Sequence, residues 1–466
     1  MELNGIVAII ATVLGVLMAY KGFYMVLGLV CRAKKFAPAP MTRKYGIIIA
    51  ARNEENVLGL LLESLAKQTY PADLYKVFVV ADNCTDHTAQ IAREYGACVY
   101  ERNCPEKARK GWALEFLFEN IARDFGIKTF DGFIFFDADN IVAKDYIEQI
   151  NNAFATGCDA VIGYRNTKNF DRNWISAHYG LHFMRSSMTL HRPRSRLGLS
   201  SHIAGTGYLL STELVQDGWC YHCLTEDTQA TMDFVVCGKR IEYCEAAEFY
   251  DEQPYQFKVM ARQRIRWAKG RMACFAAFGY RLLFGLFRKF PKEKTAEQPC
   301  GDAQEKNPIY RVGASVSTFL SRVFKPIRKN LSCYDMFFYL LPNSMVSLLL
   351  DLAQFIVSVV VAANAGQLIF ENAATWVIAV IGLVFGSLLS YVGSILIGLL
   401  VVIREWPHIH CAKSKIALYL LTWPLFDKLY AYLCVISLFM RVKWKPIKHD
   451  EAISIENLEG EKTAVG

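Results

Sequence analysis

The run Phe133-Ile134-Phe135-Phe136-Asp137-Ala138-Asp139-Asn140 constrains this chain more than any other stretch, because an apolar segment stops abruptly at two carboxylates one residue apart. A run apolar at every position reads as a strand buried on both faces of a sheet. In an open sheet of that kind, ligands sit in the crevice at the carboxyl ends of the strands. Asp137 and Asp139 are therefore placed to face a crevice, where two acids grip a divalent cation, Mg²⁺ or Mn²⁺, together with phosphate oxygens. Acidic pairs also cap helices and fill turns, so the surrounding pattern has to decide between a site and a turn.

That pattern is alternation. Apolar Tyr45–Ala51 is followed by a helical stretch to Gln68, then Val77–Ala81, a helix to Tyr95, short Cys98–Tyr100 and a helix through Phe118. Beyond the Phe133 strand come a helix over Ala143–Ala155 and a strand at Ala160–Gly163. Strands and helices taking turns predict an α/β nucleotide-binding domain, its mostly parallel sheet covered on both faces, over residues 40–270.

The rest of the chain points to lipid. Hydrophobic residues make up 53% of its 466 positions, above the usual soluble composition. Residues 5–31 are nearly all apolar apart from Lys21 and are followed by Arg32, Lys34, Lys35, Arg43 and Lys44. The length and the basic flank predict a transmembrane anchor over residues 1–35 with its N-terminus outside. A cleaved signal peptide fits less well, since there is no basic leading region and no small-residue cleavage site before Arg32. Residues 271–332 are expected to lie in the membrane interface: Ala268–Phe290 and Ile309–Asn330 are amphipathic, with a polar loop over 291–308. Residues 333–440 form a C-terminal membrane region with candidate spans Asn343–Ala363 and Ala374–Ile403, and 441–466 is a basic cytoplasmic tail. Ile416–Met440 is apolar but carries Pro424, Asp427 and Lys428 at its middle, which predicts a broken hairpin or an interface-lying segment. Asn343, Ser347, Asp351, Gln354 and Ser358 share one helical face, expected to meet protein or a wet cavity. Gly382, Gly386, Ser390, Ser394 and Gly398 make a small-residue stripe of the kind that lets helices pack closely.

The net charge of +8 does not form a nucleic-acid footprint. Its Lys and Arg residues gather beside apolar segments, where they suit anionic lipid headgroups. Fourteen scattered cysteines fit reduced thiols. Cys220, His222 and Cys223 lack the second pair that a zinc finger requires.

Several polar clusters punctuate the α/β stretch at strand ends or loops: Ala51-Arg52-Asn53-Glu54-Glu55, Asp82-Asn83-Cys84-Thr85-Asp86-His87-Thr88, Lys110-Gly111-Trp112, Asp137-Ala138-Asp139, Gly205-Thr206-Gly207, Thr225-Glu226-Asp227 and Gln263-Arg264-Ile265-Arg266-Trp267. Singly, each has a plain reading: Asp82–Thr88 as a capped turn, Lys110 as a surface charge, Arg266 and Trp267 as membrane-surface anchors. In this order they resemble the membrane-bound processive glycosyltransferases of family 2, the group containing hyaluronan, cellulose and poly-N-acetylglucosamine synthases, over about residues 45–270.

The resemblance implies a GT-A-type fold and a role for each cluster. Asn53 and Glu54 would lie near the ribose of a UDP-sugar donor, Asp82 would accept from the uracil N–H, and Lys110 would complement the phosphates. Asp139, with Asp137 beside it, would hold the metal diphosphate. Asp227, beside Glu226, would be the general base that frees the acceptor hydroxyl for inverting attack. Gln263 belongs to the motif in which Arg266 faces the diphosphate and Trp267 supports the acceptor sugar. Gly205, Thr206 and Gly207 would let the backbone approach that acceptor. The implied acceptor is a growing β-linked polysaccharide, and the implied location is the plasma membrane of a bacterium-like cell, with the catalytic domain cytoplasmic. The chain departs from hyaluronan synthases in having one clear N-terminal span rather than two and a short C-terminal membrane part. This leaves room for a homo-oligomer, an accessory protein, or single-sugar addition to a lipid-linked acceptor. A catalytically silent nucleotide-sugar sensor or transport subunit is disfavoured by the intact Asp137, Asp139, Asp227 and Gln263–Trp267 set.

Overall fold

The computed structural model describes residues 3–291, 307–350, 352–353, 373–442, 447, 449, 451, 453 and 455–456. Two apolar helices, α1 (Leu3–Met18) and α2 (Tyr20–Val30), lead into the sheet domain. There β1 (Tyr45–Ala51), β2 (Tyr75–Asp82), β3 (Cys98–Arg102) and β4 (Gly132–Asp137) alternate with α3 (Leu58–Ala66), α4 (Thr88–Glu94) and α5 (Lys110–Asp124). The chain continues through β5 (Ile141–Val142), α6 (Tyr146–Phe154), β6 (Ala160–Thr167), α7 (Trp174–Ser186), α8 (Arg192–Leu197), β7 (Tyr208–Ser211), α9 (Thr212–Val215), α10 (Glu226–Val236) and β8 (Ile241–Asp251).

The eight strands form one mixed sheet in the order β3-β2-β1-β4-β7-β6-β8-β5. β3, β2, β1 and β4 are parallel, as the alternation requires. β7 then runs antiparallel between β4 and β6, and β8 returns parallel to β6. The all-apolar strands are covered on both faces. Ile48, Phe78, Phe133 and Phe135 pack against Leu114, Leu117 and Phe118 of α5 on one side. Ile47, Ile49, Val79, Ile134 and Phe136 pack against Leu61 and Leu65 of α3 and Ile147 and Ile150 of α6 on the other. The register sets Ala50 opposite Asp137 and Ala51 opposite Ala81, so the carboxyl ends of β1, β2 and β4 finish level. The loops that carry Glu54, Asp82–Asp86 and Asp137–Asp139 follow those three strand ends.

Beyond the sheet lie α11 (Phe257–Gly285), α12 (Pro308–Phe324), α13 (Arg328–Leu340), α14 (Asn343–Leu350), α15 (Ala373–Glu405) and α16 (Lys413–Phe439). The interface stretch expected from Ala268 is the second half of α11, which runs on without a break. Its Cys274, Phe278 and Leu282 join Cys333, Met336 and Leu340 of α13 in the core that also covers the sheet. α12 leaves Ile309, Val312, Val316, Phe319 and Val323 exposed along one side, as an interface helix would. By length and composition, Ala8–Val30 and Phe385–His408 are each apolar enough to cross a membrane, and Pro308–Leu340 with Asn343–Leu350 makes a third candidate bent by 57°.

Where a broken hairpin or an interface-lying segment is expected, α16 is a single helix with Pro424 inside it. Its polar interruptions are met from α7. Arg185 holds Asp427 through two hydrogen bonds of 3.1 and 2.9 Å, and His178 Nε2 donates to the Tyr419 carbonyl at 2.8 Å, in the turn that Pro424 weakens. In the small-residue stripe, Gly398 packs against Leu420 and Trp423 of α16, while among the described residues nothing lies within 4 Å of where a Gly386 Cβ would stand. Asp351, Gln354, Ser358, the rest of the span to Ala363 and the polar loop after Pro291 lie outside the described residues.

Buried ion pairs fasten the helical part to the sheet domain. Arg194 of α8 donates to Asp335 of α13 at 2.7 and 3.0 Å, and the same carboxylate accepts from Tyr20 and Tyr24 of α2 at 3.0 and 3.1 Å. Arg192 bridges Glu245 and Glu405, each at 2.8 Å, and Tyr164 adds a hydrogen bond to Glu405. Asp335→Ala strips the buried Arg194 guanidinium of its carboxylate partner, a loss of roughly 3–5 kcal/mol. A clear drop in the melting temperature of the detergent-purified protein is expected, and an unchanged melt would refute the role of this pair.

Candidate active site

The strand-end loops are stitched before they meet any ligand. Asn53 adopts a left-handed φ of 57° and accepts the Thr85 N–H at 2.8 Å, tying the β1 loop to the β2 loop. Its neighbours Arg52 and Glu54 line the cavity on either side of it. Glu54 does line the cavity, and both of its carboxylate oxygens lie 3.1 Å from Nδ1 of His449, from the C-terminal stretch. Asp82 also lines it, with Oδ1 engaged by Arg102 and, at 2.9 Å, by Asn83.

Lys110, at the start of α5, reaches across the crevice to Asp137 and donates to the Gly205 carbonyl at 2.8 Å. Burial works against its charge, but Asp137, Glu226 and Asp227 outweigh burial and hold the ammonium above its ordinary range. The Asp137 N–H donates to Thr206 Oγ1 at 2.9 Å, so the glycine-flanked loop is fixed to the end of β4. Gly207, at φ 64°, has the Phe249 ring where a Cβ would stand, 2.0 Å away. Its role is thus close packing of the loop on β8, and Gly205 and Thr206 are the members that line the cavity.

Asp139 is almost fully buried and accepts the Glu252 N–H at 3.2 Å. Its Oδ2 lies 4.0 Å from His449 Nε2. Burial opposes charge on that imidazole, but Asp139, Glu54 and Glu252 outweigh it and push the ring up to about 10. Close by, Asp251 binds Arg165, and burial, opposed by Arg165 and reinforced by Asp139, pushes it up to about 6. Among the described residues no set of three or more His, Cys, Asp or Glu side chains is gathered around one cation position. The donor set nevertheless fits a hard divalent ion: the buried carboxylate of Asp139 faces an imidazole nitrogen, with Glu54, Asp137 and Asp251 adding negative charge around it.

The opposite wall comes from two helices. Glu226 and Asp227 open α10, where the helix dipole favours negative charge. Burial, reinforced by Asp227 and opposed by Lys110 and Arg266, pushes Glu226 up to about 7. Asp227 is likewise raised by burial, against the Thr228 N–H, which donates to it at 2.7 Å, and against Lys110, Arg266 and Arg165. On α11, Gln263, Arg266 and Trp267 recur at steps of three and four and so share one face. Gly270 lets that face press on α10, since a Cβ there would meet the Thr225 side chain at 2.5 Å. Arg266 donates to the Leu224 carbonyl at 2.9 Å, and Trp267 stands edge-on to Tyr179, with ring centroids 5.8 Å apart.

One cavity of about 550 Å³ joins Glu54, Asp82, Lys110, Asp137, Asp139, Gly205, Thr206, Glu226, Asp227, Gln263, Arg266 and Trp267. It extends away from the strand ends to Lys21 of α2, Arg271 of α11, Tyr339 of α13 and Asn343 and Ser344 of α14. Gln263 Oε1 and Asn343 Oδ1 are buried without a hydrogen-bond partner among the described residues, and both line this cavity. Arg165, Asp251, Glu252, Arg271 and His449 line it too and are missed by motif reading. For two of them a signal exists: Phe249-Tyr250-Asp251-Glu252 repeats the apolar run ending in acids that flags Asp137. His182 and His191 also line the cavity, whereas His178 serves packing. His222 stacks on Trp112 with ring centroids 3.7 Å apart, and Cys223 lies 4.0 Å from Cys274.

A mixed, mostly parallel sheet with its acidic loops at the carboxyl edge is a GT-A-like glycosyltransferase fold. Residues 42–270 match the family model described as glycosyltransferase like family 2, and this part of the chain is a glycosyltransferase family 2 domain. The chain is similar to the probable glycosyltransferase YdaM of Bacillus subtilis, 25% identical over 265 residues that cover 53% of this chain and 61% of that one. It is also similar to a beta-monoglucosyldiacylglycerol synthase of Synechocystis, 25% identical over 258 residues, 52% of each chain. The chain thus spans about half the length of the curated relatives it matches. Among solved structures, a mannosyltransferase of Pyrobaculum calidifontis in complex with GDP-Man and Mn²⁺ superimposes with a TM-score of 0.52 at 14% identity, over 94% of this chain and 99% of that one, a likeness of fold.

Proposed function

We propose that the protein is an inverting, divalent-metal-dependent transferase that moves a sugar from a nucleotide diphosphate donor, a UDP-sugar first among candidates, to an acceptor hydroxyl carried by a lipid. The observation that carries this reading is that one cavity joins the acidic strand ends, the Glu226–Asp227 pair and Arg266 to Lys21, Asn343 and Ser344 on helices outside the sheet domain. A donor at the strand ends would place its diphosphate near Asp139, Lys110 and Arg266. Asp227 takes the acceptor proton as the acceptor oxygen bonds to the anomeric carbon, and the bond from that carbon to the diphosphate oxygen breaks on the opposite side. The configuration inverts, so an α-linked donor gives a β-glycoside. A cation at Asp139, Mg²⁺ or Mn²⁺, supplies charge neutralisation for the departing diphosphate. Gln263 Oε1 and Asn343 Oδ1 are acceptors awaiting hydroxyl donors, a fit for the bound acceptor.

Extension of a β-linked polysaccharide is the second reading, favoured by Trp267 and Phe183, which both line the cavity with ring centroids 6.5 Å apart and offer an aromatic wall for successive pyranoses. Nucleotide release measured across UDP- and GDP-sugars with Mn²⁺, in lipid-containing micelles, tests both. A single-sugar glycolipid is expected, a long polymer would establish the second reading, and no turnover with any donor would refute transferase activity.

A further inference from the structure

We propose that the cavity holds an anion site on its helical side, where Lys21 of α2 and Arg271 of α11 bind the phosphate of the acceptor lipid, so that the acceptor is a phospholipid with a headgroup hydroxyl and not a neutral diacylglycerol. This rests on the lipid-acceptor reading above and names the chemistry of its substrate. Charge balance carries it. Besides Arg266, five cations on α2, α7, α8 and α11 line the cavity: Lys21, Arg185, Arg194, Arg264 and Arg271. Asp427 neutralises Arg185, and Asp335 neutralises Arg194. Arg264 is spent on packing: it donates to the Phe426 carbonyl at 2.8 Å, and its guanidinium stands 3.9 Å from the centre of the Phe426 ring. Lys21 and Arg271 are left without a carboxylate in an ion pair among the described residues. The Asp335 charge that attracts Lys21 is already taken by Arg194, Tyr20 and Tyr24, and Arg271 repels Lys21. Lys21 is also the one charged residue of the apolar stretch Ala8–Val30, where an ammonium is costly unless an anion meets it. The planar fork of Arg271 suits phosphate oxygens.

The site also stands within reach of the chemistry. Arg271 lies four residues beyond Trp267 on α11, about 6 Å along the axis, and Asp227 is close enough to attract it. A second cavity of about 80 Å³ shares Arg271, Asn343, Ser344 and Tyr430 with the main one. Ser344 is exposed, so this part reaches the protein surface beside the first turn of α14. Asn343 Oδ1, buried without a partner, can only accept, so it calls for a hydroxyl and not for a phosphate oxygen. The two demands together, an anion for Lys21 and Arg271 and a hydroxyl beside it, describe a glycerol phosphate headgroup. The phosphate serves as a handle. The hydroxyl attacks the anomeric carbon and yields its proton to Asp227, since a phosphate oxygen as nucleophile would need no base.

The test is sugar transfer by the detergent-purified full chain in mixed micelles that hold either phosphatidylglycerol or diacylglycerol as the sole acceptor. Phosphatidylglycerol is expected to be used with a kcat/KM about tenfold higher, the worth of one hydrogen bond to a charged group. Arg271→Gln and Lys21→Gln should each cut that ratio about tenfold by raising KM for phosphatidylglycerol, and Arg271→Lys, which keeps the charge, should restore part of it. Phosphatidic acid, which has the phosphate without the headgroup hydroxyl, should compete with phosphatidylglycerol. Equal inhibition by inorganic phosphate or glycerol 3-phosphate would assign the cations to a soluble phosphate and overturn the lipid source. A ratio near one in the parent, or one that both Gln variants leave unmoved, would overturn the proposal while lipid transfer itself stands. Binding is read separately by native mass spectrometry, in which the parent should retain phosphatidic acid in preference to diacylglycerol and the Gln variants should lose that preference. Transfer to neither lipid would refute the lipid-acceptor reading, and the retention measurement would still decide the anion site: no preference in the parent overturns it.

Discussion

Asp227→Asn is expected to lower sugar transfer by about two to four orders of magnitude while nucleotide binding persists, because the amide keeps the shape of the side chain and loses only its ability to take a proton. In the proposed reading Asp227, held by the Thr228 N–H, serves the acceptor, whereas the groups proposed to hold the donor belong to the strand ends. Steady-state transfer and UDP binding by calorimetry separate the two effects, and retained turnover would remove Asp227 from the base role. The pH dependence has a definite sign. A carboxylate base works only when deprotonated, and burial raises Asp227 while pushing its neighbour Glu226 up to about 7. The rate should therefore rise with pH and level off above about pH 4, the ordinary value for a carboxylate. A profile already level at about pH 4 would mean that Asp227 is not the group that takes the proton.

Asp139→Ala is expected to have the largest effect on the donor side, weakening metal-dependent UDP binding by about a hundredfold or more, since even partners one shell further out are worth ten- to hundredfold. Asp137→Asn should be milder in binding, because its carboxylate is engaged by Lys110. Titrating UDP with Mn²⁺, and again with a chelator, checks both variants. Binding that survives Asp139→Ala would refute its place at the cation.

The sheet domain was largely legible because apolar runs and turn residues act locally. Tyr45–Ala51 and Ala160–Gly163 read as strands on composition alone, and the acidic loops announce themselves at strand ends. Three things were not legible. The antiparallel β7, between β4 and β6, depends on pairing partners distant in sequence. The unbroken α16 is accompanied by Arg185 reaching Asp427 and His178 reaching a carbonyl, contacts that no local pattern encodes. His449 carries no motif at all and gains meaning only where the chain returns to Glu54 and Asp139. The duties of Asn53 and Gly207 also escaped motif reading: both are backbone solutions, a left-handed turn and a close approach, at positions where a ligand contact is equally plausible from residue type.

The unbroken α11 makes the site sensitive to mechanical state. Its 29 residues form one rod about 44 Å long, with Gln263, Arg266 and Trp267 in its first half, where Arg264 donates to the Phe426 carbonyl of α16 at 2.8 Å, and the packing against α13 toward the other end. A tilt of about 5° about its midpoint would displace each end by roughly 2 Å, and Arg266, five residues from that midpoint, by about 0.7 Å. If the surrounding helices adjust their inclination to bilayer thickness, that rod would carry a part of the change to Arg266, which lines the cavity with Asp227.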